Sequence, residues 1–445
     1  MNIGIIGAGP TGLYLGIALA RRGHRVDLVE RDSGPSRDGT WARKGVMQFH
    51  HAHGFRPQVT DALQAEVPEA YERWLAAGAE PVEMDHPTAG HVQMGTRSRR
   101  LIFERALRET ALAEPGLDLR VGHVDAVTVE RGRARGLVVD GTSLPYDVVI
   151  DASGRSGRVT RPLGERRGVG GSCGIAYVDR SYQLRDGAGP GPLTNPMAWQ
   201  ADYDGYGVFA FLHDHGIFSV VIIRPSADRD LHQLREEAAF DAACEAIPGL
   251  ATWTDPDRAY PLSPVLPGGN LLNHYRAQTG PDGNLVLPGL LFVGDSVCTT
   301  TPTFGRGMAT SLGQARELLH LIDTDGFDPV GIGYAFDAWC EQEIRPWVED
   351  HIRIDDAQRR RWLGEDLDLS KKLPADLIMK AAAVDSTIQD ASWSYLAMTD
   401  GASCLDPFEE QARAVYRTGW RPPLADGPSR DELAALIRSS RLVAA

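Results

Sequence analysis

The sequence predicts an α/β protein in which a parallel sheet flanked by helices is interrupted by a β-rich insertion and followed by a helical extension. Three observations predict this class. A short apolar run at the N-terminus leads through closely spaced glycines into an apolar helix, and a similar strand–turn–helix pattern recurs after residue 289. Between about 165 and 275, glycine and proline separate short segments rich in Tyr, Phe, Val and Ile, which is typical of antiparallel strands.

Composition indicates a soluble globular protein. The 445 residues carry a net charge of −14, which argues against a nucleic-acid partner. No apolar stretch reaches the roughly 18–20 residues of a membrane span, and no signal-peptide pattern precedes the first strand. The five cysteines are widely spaced and form no paired motif, so they favour reduced thiols over disulfides or a metal site. We therefore expect a cytoplasmic protein without a bound metal.

The first motif lies at the N-terminus. The apolar residues 3–6 predict a buried parallel strand that leads into Gly7, Gly9 and Gly12, spaced as G-x-G-x-x-G. In a Rossmann-type fold the first glycine permits a tight turn, the second lets the backbone approach a pyrophosphate, and the third lets helix and strand pack closely. The second strand ends on Glu30, where a carboxylate accepts hydrogen bonds from a ribose. Together these features predict a dinucleotide site.

The second motif begins at residue 290. An apolar run over 290–293 predicts another buried strand, and it ends on Gly294-Asp295. The turn-rich segment that follows contains Pro302, Phe304, Gly305 and Gly307. A helix is predicted from about Met308 to Leu321, and the start of such a helix presents unpaired N–H groups and a partial positive charge.

The third segment lies between the other two. Residues 146–150 form a strand pattern that enters the loop Asp151-Ala152-Ser153-Gly154. The three segments stand in the order and spacing of one family, and over residues 1–350 the chain resembles the flavoprotein monooxygenases. That family includes aromatic hydroxylases, squalene-type and polyether epoxidases, styrene monooxygenases and flavin halogenases. The Asp-Ala-Ser-Gly loop places the resemblance nearest the epoxidase-like branch.

The resemblance implies that the cofactor is FAD. In the family, the carboxylate at the position of Asp295 binds the ribitol chain, and the helix after it points at the pyrimidine edge of the flavin. Arg43 resembles the arginine that reaches the flavin or its phosphates, and Arg100 resembles the arginine before an amphipathic helix; a solvated surface arginine is the alternative for each. The expected cofactor-binding residues are Gly7, Gly9, Gly12, Glu30, Arg43, Arg100, Asp151, Gly294, Asp295, Pro302, Gly305, Gly307 and Met308.

The resemblance also implies a monooxygenase reaction. Reduced flavin combines with O2, and the C4a-hydroperoxyflavin transfers one oxygen atom to an electron-rich carbon. The protein has to hold the substrate over the flavin and exclude water. We expect epoxidation or hydroxylation of an apolar or aromatic small molecule. Two alternatives remain: a flavin-dependent reductase of isoprenoid double bonds, which shares the Asp-Ala-Ser-Gly loop, and a non-catalytic flavin-binding protein.

Two departures from the family pattern concern the electron donor and halogenation. Single-component hydroxylases usually carry Asp-Gly in the middle motif, which also serves nicotinamide docking, and no second G-x-G-x-x-G follows a strand here. We therefore expect the electrons of NADH or NADPH to arrive through a separate flavin reductase. Halogenases normally carry W-x-W-x-I-P and an early lysine. This chain has no W-x-W, and before position 371 its one lysine is Lys44, so halogenation is not expected.

No side chain stands out as an obligatory catalytic acid or base. The strongest candidates are His50, His51 and His53, because their segment follows Arg43 as a flavin-side segment does in the epoxidase-like branch; partly exposed loop histidines are the alternative. Pro302 and Phe304 are further pocket candidates. Several aromatic residues of the β-rich region either line the substrate pocket or pack in the core of the sheet: Trp199, Tyr203, Tyr206, Phe209 and Phe211.

The predicted domain organisation has four parts. An FAD-binding domain is formed by residues 1–164 and 276–350, and a β-rich substrate domain of residues 165–275 is inserted in it. Residues 351–445 form a helical C-terminal extension, with helices near 376–383 and 431–437, that we expect to pack on the FAD-binding domain.

Overall fold

The computed structural model describes residues 1–43, 45–86, 90–325 and 328–444. The strands are β1 Asn2–Ile6, β2 Arg25–Glu30, β3 Gly54–Phe55, β4 Glu80–His86, β5 Gly90–Arg97, β6 Leu117–Val121, β7 Val124–Glu130, β8 Arg133–Val139, β9 Thr142–Pro145, β10 Val148–Asp151, β11 Gly168–Ser172, β12 Ile175–Leu184, β13 Ala198–Tyr203, β14 Tyr206–Leu212, β15 Ile217–Pro225, β16 Ala259–Pro261, β17 Leu266–Gly268, β18 Leu272–Arg276, β19 Leu290–Phe292 and β20 Cys298–Thr299. The helices are α1 Pro10–Arg21, α2 Pro57–Glu66, α3 Pro68–Ala76, α4 Arg100–Ala113, α5 Glu237–Ala246, α6 Pro248–Thr254, α7 Gly307–Asp325, α8 Pro329–Trp339, α9 Arg345–Trp362, α10 Ala375–Ala381, α11 Gln389–Ala397, α12 Glu409–Arg417 and α13 Arg430–Ala444.

A parallel sheet in the order β19-β10-β1-β2-β6 forms the first core, which confirms the predicted Rossmann-type fold. Ile5 on β1 lies opposite Leu28 on β2 and Ile150 on β10, and all three are completely buried. These strands are apolar throughout because helices such as α1, α4 and α7 pack with the sheet in a single core. The carboxyl ends of β1, β2, β10 and β19 carry the three predicted motifs to one edge of the sheet.

The second core is built on an antiparallel sheet in the order β13-β14-β15-β12-β16, with β17 also paired to β12. Strand β14 alternates: Val208 and Ala210 pack against α5, α6 and α13, whereas Phe209 and Phe211 lie on the other face of the sheet. The predicted strands in this region are confirmed. Helices α5 and α6 were not predicted, although Phe240, Ala243 and Cys244 give residues 237–246 the spacing of an amphipathic helix.

The helices after α9 divide between two places. Helices α10, α11 and α12 pack with Trp347 and Ile354 of α9 in a separate apolar cluster. Helix α13 packs instead on the antiparallel sheet, through Leu433, Ala434 and Ile437. The expected packing of the whole extension on the first core is thus wrong for α13. Since α9 also runs continuously across residue 350, the four-part division stays a prediction.

Three small sheets connect these parts. They have the orders β3-β5-β4, β7-β8-β9 and β11-β18-β20. The third connects the two cores, because β18 leads from the insertion back towards β19. Among the described helices, none is both long and apolar enough to span a membrane.

Candidate cofactor and substrate site

The glycine turn between β1 and α1 has the geometry of a phosphate cradle. Gly7 has φ +99°, and a Cβ atom there would lie 2.8 Å from the carbonyl oxygen of Ala152. A Cβ atom at Gly12 would lie 2.0 Å from the carbonyl oxygen of Gly7, so only glycine lets helix and turn approach this closely. At Gly9, by contrast, no heavy atom lies within 4 Å of the Cβ position. The space beside Gly9 is therefore free for a ligand, and no described side chain caps the first turn of α1.

Glu30 closes the turn at the end of β2. Its Oε2 accepts a hydrogen bond from the Ala8 N–H at 2.9 Å, and its Oε1 accepts one from the Asp32 N–H at 3.0 Å. The guanidinium of Arg43 donates to Glu30 at 2.5 Å and also to the buried Glu104. Arg43 thus lies between two carboxylates beside the predicted ribose position, where it fixes Glu30 and balances its charge.

The second motif meets the first at the end of β19. Gly294 has φ +68°, and a Cβ atom there would lie 2.9 Å from Oγ1 of Thr11 on α1. The carboxyl group of Asp295 interacts with the guanidinium groups of three arginines, Arg100, Arg155 and Arg276. Burial raises the pKa of Asp295 above its ordinary value, and these arginines oppose the increase. Asp295 is thus a carboxylate in a cationic cleft next to the glycine turn.

The start of α7 lies close to the segment that contains the three histidines. Gly305 has φ +60°, and its Cβ position is 3.6 Å from the carbonyl oxygen of Gly54. Helix α7 begins at Gly307, where a Cβ atom would again meet open space. Pro302 is exposed, and Met308 packs against the first core. Two helix starts with open space beside a glycine, together with the carboxylates of Glu30 and Asp295, fit the phosphates, ribose and ribitol of FAD.

Asp151 supports this cleft from behind. Its side chain is completely buried, and it accepts hydrogen bonds from the Ser153 N–H at 2.8 Å and from the hydroxyl groups of Thr160 and Ser296. The contact with Ser296 holds the residue that follows Asp295. All of these partners belong to the protein, so the structure gives Asp151 a place in the framework of the cleft.

Arg100 and His53 extend the cleft towards the antiparallel sheet. The Nε of Arg100 donates to Glu104, and its Nη1 lies 3.4 Å from Nε2 of His53. The Nδ1 of His53 lies 2.9 Å from the carbonyl oxygen of His51. Burial lowers the pKa of His53 to about 3, and the charge of Arg100 adds to this effect, so the ring is neutral at physiological pH.

The other two histidines have different surroundings. His51 is buried, its ring meets the Tyr177 ring edge-on at 5.3 Å, and its Nδ1 lies 3.7 Å from Oδ2 of Asp179 on β12. His50 is exposed, and its ring packs against that of Phe49 with ring centres 4.9 Å apart. The structure thus brings His51 and His53 to the cleft and leaves His50 outside it.

Asp179 is a buried acid beside His51 that was not predicted as a candidate site residue. It is completely buried, it accepts a hydrogen bond from the Ala52 N–H at 2.5 Å, and burial raises its pKa to about 7. A signal was present, because an acid in the apolar strand Ile175–Leu184 stands two residues after Tyr177 and therefore on the same face of the sheet. Ser219, which bonds to His213 at 3.0 Å, lies beside Asp179.

An apolar surface lies next to His51 and Asp179. We name it the apolar face, and it consists of Ile175, Tyr177, Val221, Ile223 and Leu271, with the partly exposed Ala52, Cys173, Phe209, Phe211 and Trp362 around them. Phe209 and Phe211 stack with ring centres 5.5 Å apart. A cavity of about 410 Å³ reaches this surface at Cys173 and also borders Asn273 and Arg359.

The aromatic candidates of the β-rich region divide between the two faces of the sheet. Phe209 and Phe211 belong to the apolar face, whereas Trp199, Tyr203 and Tyr206 pack in the core on the other side. Phe304 turns towards the C-terminal cluster, where its ring centre lies 5.6 Å from that of His351 and 6.3 Å from that of Tyr395.

Comparison with known proteins agrees with this geometry. Residues 2–121 match the family of FAD-dependent oxidoreductases. The thiamine thiazole synthase of Thermotoga maritima is 29% identical over 160 residues, which cover 34% of this chain and 60% of that protein. The chain therefore spans less than two thirds of the length of this curated relative.

Solved structures share the fold over most of the chain. The flavin-dependent brominase Bmp2 has a TM-score of 0.60 at 16% identity, with 94% of this chain and 98% of that chain covered. PqsL of Pseudomonas aeruginosa, named a probable FAD-dependent monooxygenase, has a TM-score of 0.57 at 17% identity, with 82% and 98% covered. A 2-methyl-3-hydroxypyridine-5-carboxylic acid oxygenase has a TM-score of 0.57 at 14% identity, with 80% and 92% covered. Residues 2–121 thus match the FAD-dependent oxidoreductases, and most of the chain shares its fold with these solved structures.

Proposed function

We propose that the protein is an FAD-dependent monooxygenase that hydroxylates or epoxidises an apolar or aromatic small molecule. The observation that carries the proposal is the apolar face, where Phe209, Phe211 and Trp362 remain partly exposed and pack in the same cluster as Ala52 of the histidine segment. Concave sites for small molecules are mostly apolar with a few placed polar groups, and here His51, Asp179 and His53 are those groups. Two of the structural neighbours, PqsL and the pyridine carboxylic acid oxygenase, are named as oxygenases, which supports the same conclusion.

The proposed cofactor site uses residues on both sides of the cleft. The turn at Gly7, Gly9 and Gly12 would hold the pyrophosphate, Glu30 the ribose and Asp295 the ribitol chain. The start of α7, with Gly305, Gly307 and Met308, would face the flavin ring. When bound and reduced, FAD supplies two electrons to dioxygen, so that one oxygen atom enters the substrate and the other leaves as water.

The protein's own contribution is binding, orientation and exclusion of water. Phe209 and Phe211 offer a flat apolar surface for a ring, and Trp362 at the end of α9 closes one side of it. A dry pocket prevents side reactions with water and strengthens each polar contact inside it. On this proposal, Trp362 is the part of the C-terminal extension that covers the substrate.

For electron supply we propose a separate flavin reductase that uses NADH or NADPH. The proposal follows from the Asp-Ala-Ser-Gly loop in place of the usual Asp-Gly. One feature favours the opposite arrangement: Arg155 and Arg276 lie near Asp295, and Arg161 lies beside both of them. Within the described residues, none of the three has a carboxylate within ion-pair distance. Such a cationic surface would attract the phosphates of a nicotinamide dinucleotide directly, so direct reduction is the alternative that an experiment has to separate.

Halogenation is the other activity that the fold comparison brings forward. Lys371, Lys372 and Lys380, the described lysines, all lie in the C-terminal part of the chain and pair with carboxylates there or on β13. Lys44 lies outside the described residues. The described residues of the apolar face include no lysine, and the sequence contains no W-x-W, so we propose oxygen transfer to the substrate in preference to halogenation.

Reaction of the reduced protein with labelled oxygen tests the proposal. Protein loaded with FAD is reduced anaerobically and mixed with ¹⁸O₂ and a panel of apolar aromatic and alkene compounds, and products are analysed by mass spectrometry. We expect one ¹⁸O atom per product molecule. A saturated product formed without oxygen would indicate the isoprenoid-reductase alternative. Flavin that binds but cannot be reduced would indicate a non-catalytic protein.

A further inference from the structure

Two buried polar groups beside the apolar face are not used by oxygen transfer itself. Nδ1 of His51 and Oδ1 of Asp179 both lack a hydrogen-bond partner, although His51 is only 7% exposed and Asp179 is fully buried. Buried polar atoms in native proteins nearly always have partners, and exceptions often mark a catalytic or binding role. An isolated unpartnered atom has little meaning, but here the two atoms belong to side chains that face each other.

The backbone holds the two side chains in fixed positions. Asp179 lies in the middle of β12, between Val221 on one side and Leu266 on the other, and the Ala52 N–H anchors its Oδ2. His51 precedes Ala52, so the same hydrogen bond ties the histidine segment to the sheet. The separation of 3.7 Å between Nδ1 and Oδ2 is somewhat longer than a hydrogen bond. Hydrogen bonds of this type are often long without substrate and shorten in the complex.

We propose that His51 accepts the proton of a substrate hydroxyl group and that Asp179 positions its ring, so that the substrate is a phenol or enol whose ring lies on the apolar face. The inference rests on the proposed function and specifies its substrate class. With Nδ1–H directed at the Asp179 carboxylate, the imidazole presents an unprotonated Nε2 on the other side of the ring. No described group forms a hydrogen bond with that nitrogen.

The proton transfer is balanced within the protein and the substrate. The O–H bond of the substrate breaks, its electron pair stays on oxygen, and the proton moves to Nε2 of His51. The imidazolium that forms keeps its Nδ1–H against Asp179, whose negative charge stabilises it. The resulting phenolate or enolate ring is richer in electrons, which favours attack on an electrophilic oxygen. The proton returns to the oxygen of the product.

The pair formed by His51 and Asp179 is expected to accept the substrate proton above a pH of about 7. Burial raises the pKa of Asp179 to about 7 and lowers that of His51 to about 4, so a carboxylate and a neutral imidazole coexist only above the higher value. The titratable groups that face them are the Tyr177 phenol beside Asp179, and His50 and His53 beside His51. The nearby Ser219 hydroxyl opposes the increase in the pKa of Asp179. No described arginine or lysine pairs with Asp179.

Binding of 4-nitrophenol to the FAD-loaded protein tests the proposal by absorbance. The phenolate absorbs in the visible range, and difference spectra against protein alone report its fraction over a pH series. We expect the wild-type site to raise the phenolate-to-phenol ratio of bound ligand about tenfold over that in solution. His51→Gln should abolish the increase and Asp179→Asn should reduce it. His91→Gln, whose exposed ring pairs with Glu83 and Asp85, should leave it unchanged.

4-Nitroanisole is the control ligand for 4-nitrophenol, because it is the corresponding methyl ether and has no hydroxyl proton. It should bind equally well to wild type and to His51→Gln, which would show that the apolar face is intact. The inference is overturned if wild type does not bind 4-nitrophenol, if His51→Gln keeps the phenolate increase, or if His51→Gln also loses 4-nitroanisole. None of these results affects ¹⁸O incorporation into other compounds, so the proposed function can stand without the pair of His51 and Asp179.

Nitrogen-15 NMR of histidine-labelled protein tests the positioning role separately. The signals of His51 are identified by their loss in His51→Gln. At pH 8 we expect the Nδ1–H tautomer in wild type and a mixture of tautomers in Asp179→Asn. An Nε2–H tautomer in wild type, or no change in Asp179→Asn, would show that Asp179 does not position the ring.

Discussion

The guanidinium carbon of Arg306 lies 4.3 Å from the centre of the Tyr395 ring, and this contact joins the turn before α7 to helix α11 of the C-terminal region. Arg306 is completely buried, a second ring, that of Trp347, lies 4.4 Å away, and Asp350 forms an ion pair with it at 3.4 Å. Its charge is thus balanced by one carboxylate and by aromatic rings. The proposed flavin-facing end of α7 is therefore braced by residues that come much later in the chain.

Replacing Arg306 with methionine should destabilise the protein strongly. The change leaves the buried Asp350 with Arg353, at 3.8 Å, as its remaining ion-pair partner, and removing one partner of a buried pair typically costs about 3–5 kcal/mol. Chemical denaturation followed by tryptophan fluorescence measures the loss. Arg359→Met is the matched control, because Arg359 pairs with Asp356 near the surface, where such pairs contribute about 0–1 kcal/mol. Equal losses in the two variants would contradict a special role for Arg306.

Gly9→Ala should impair FAD binding, whereas Gly12→Ala should impair the stability of the protein. The Cβ position at Gly9 meets no protein atom within 4 Å, so Gly9→Ala should fold with nearly unchanged stability but bind FAD weakly. At Gly12 the added carbon would lie 2.0 Å from the Gly7 carbonyl oxygen, so Gly12→Ala should be unstable even without FAD. Thermal melts of the cofactor-free proteins and titration with FAD separate the two effects. Tight FAD binding by Gly9→Ala would contradict the proposed position of the pyrophosphate beside this turn.

Asp295→Ala should weaken FAD binding roughly ten- to a hundred-fold. A hydrogen bond to a charged group contributes about 1.5–3 kcal/mol, and about 1.4 kcal/mol corresponds to a factor of ten in affinity. Flavin fluorescence during FAD titration gives the dissociation constant. Glu245→Ala, on the exposed side of α5, controls for the change in net charge. A folded Asp295→Ala protein with unchanged affinity would place this carboxylate outside the FAD site.

His53 should make the protein less stable in acid. Its pKa falls from 6.5 to about 3 on folding, so between these values the unfolded chain binds a proton that the folded protein does not. The stability contributed by the neutral ring is complete above pH 6.5 and is lost as pH falls towards 3. His53→Gln should reduce the slope of unfolding free energy against pH near pH 5 by up to about 1.4 kcal/mol per pH unit. Denaturant titrations over a pH series measure it, and parallel curves would contradict the shift.

NADH or NADPH alone should reduce the bound FAD slowly, even with substrate present. Hydride transfer needs the nicotinamide held about 3–3.5 Å from the flavin, and the usual docking motif is replaced here. Anaerobic stopped-flow mixing gives the rate, and adding an unrelated NADH:flavin reductase with free FAD should restore turnover. Reduction at about 1 s⁻¹ or faster would make the protein its own reductase. Loss of that rate in Arg276→Gln would then assign the docking surface to the arginines near Asp295.

The parallel sheet and its motifs were predictable because local sequence determines them. The turn at Gly7, the acid at the end of β2 and the Gly294-Asp295 pair each follow a short apolar run, and the carboxyl ends of parallel strands must share one edge. Asp179 was not predictable as a partner of His51, because 127 residues separate Ala52 from Asp179, and only the tertiary fold brings them into contact.

The faces of the aromatic residues in the insertion and the packing of α13 were also not predictable, because the tertiary fold determines both. The face on which each aromatic residue of the insertion lies depends on strand register, and both faces of this sheet are apolar, so Phe209 and Tyr206 look alike in sequence. Helix α13 carries an amphipathic pattern that predicts a buried face. The pattern does not indicate which of the two cores the buried face packs against. In the structure it packs against the antiparallel sheet.

The alternation of strand β14 has a consequence for how this protein can be engineered. Even-numbered positions from 206 to 212 carry the hydrophobic core, whereas Phe209 and Phe211 border the proposed pocket. Substitution libraries confined to those two positions, together with Val221 and Ile223 on the neighbouring strand, should change selectivity while most members still express in folded form. Strand β14 thus separates the apolar face, where we expect substitutions to be tolerated, from the hydrophobic core, where they are expected to destabilise the fold.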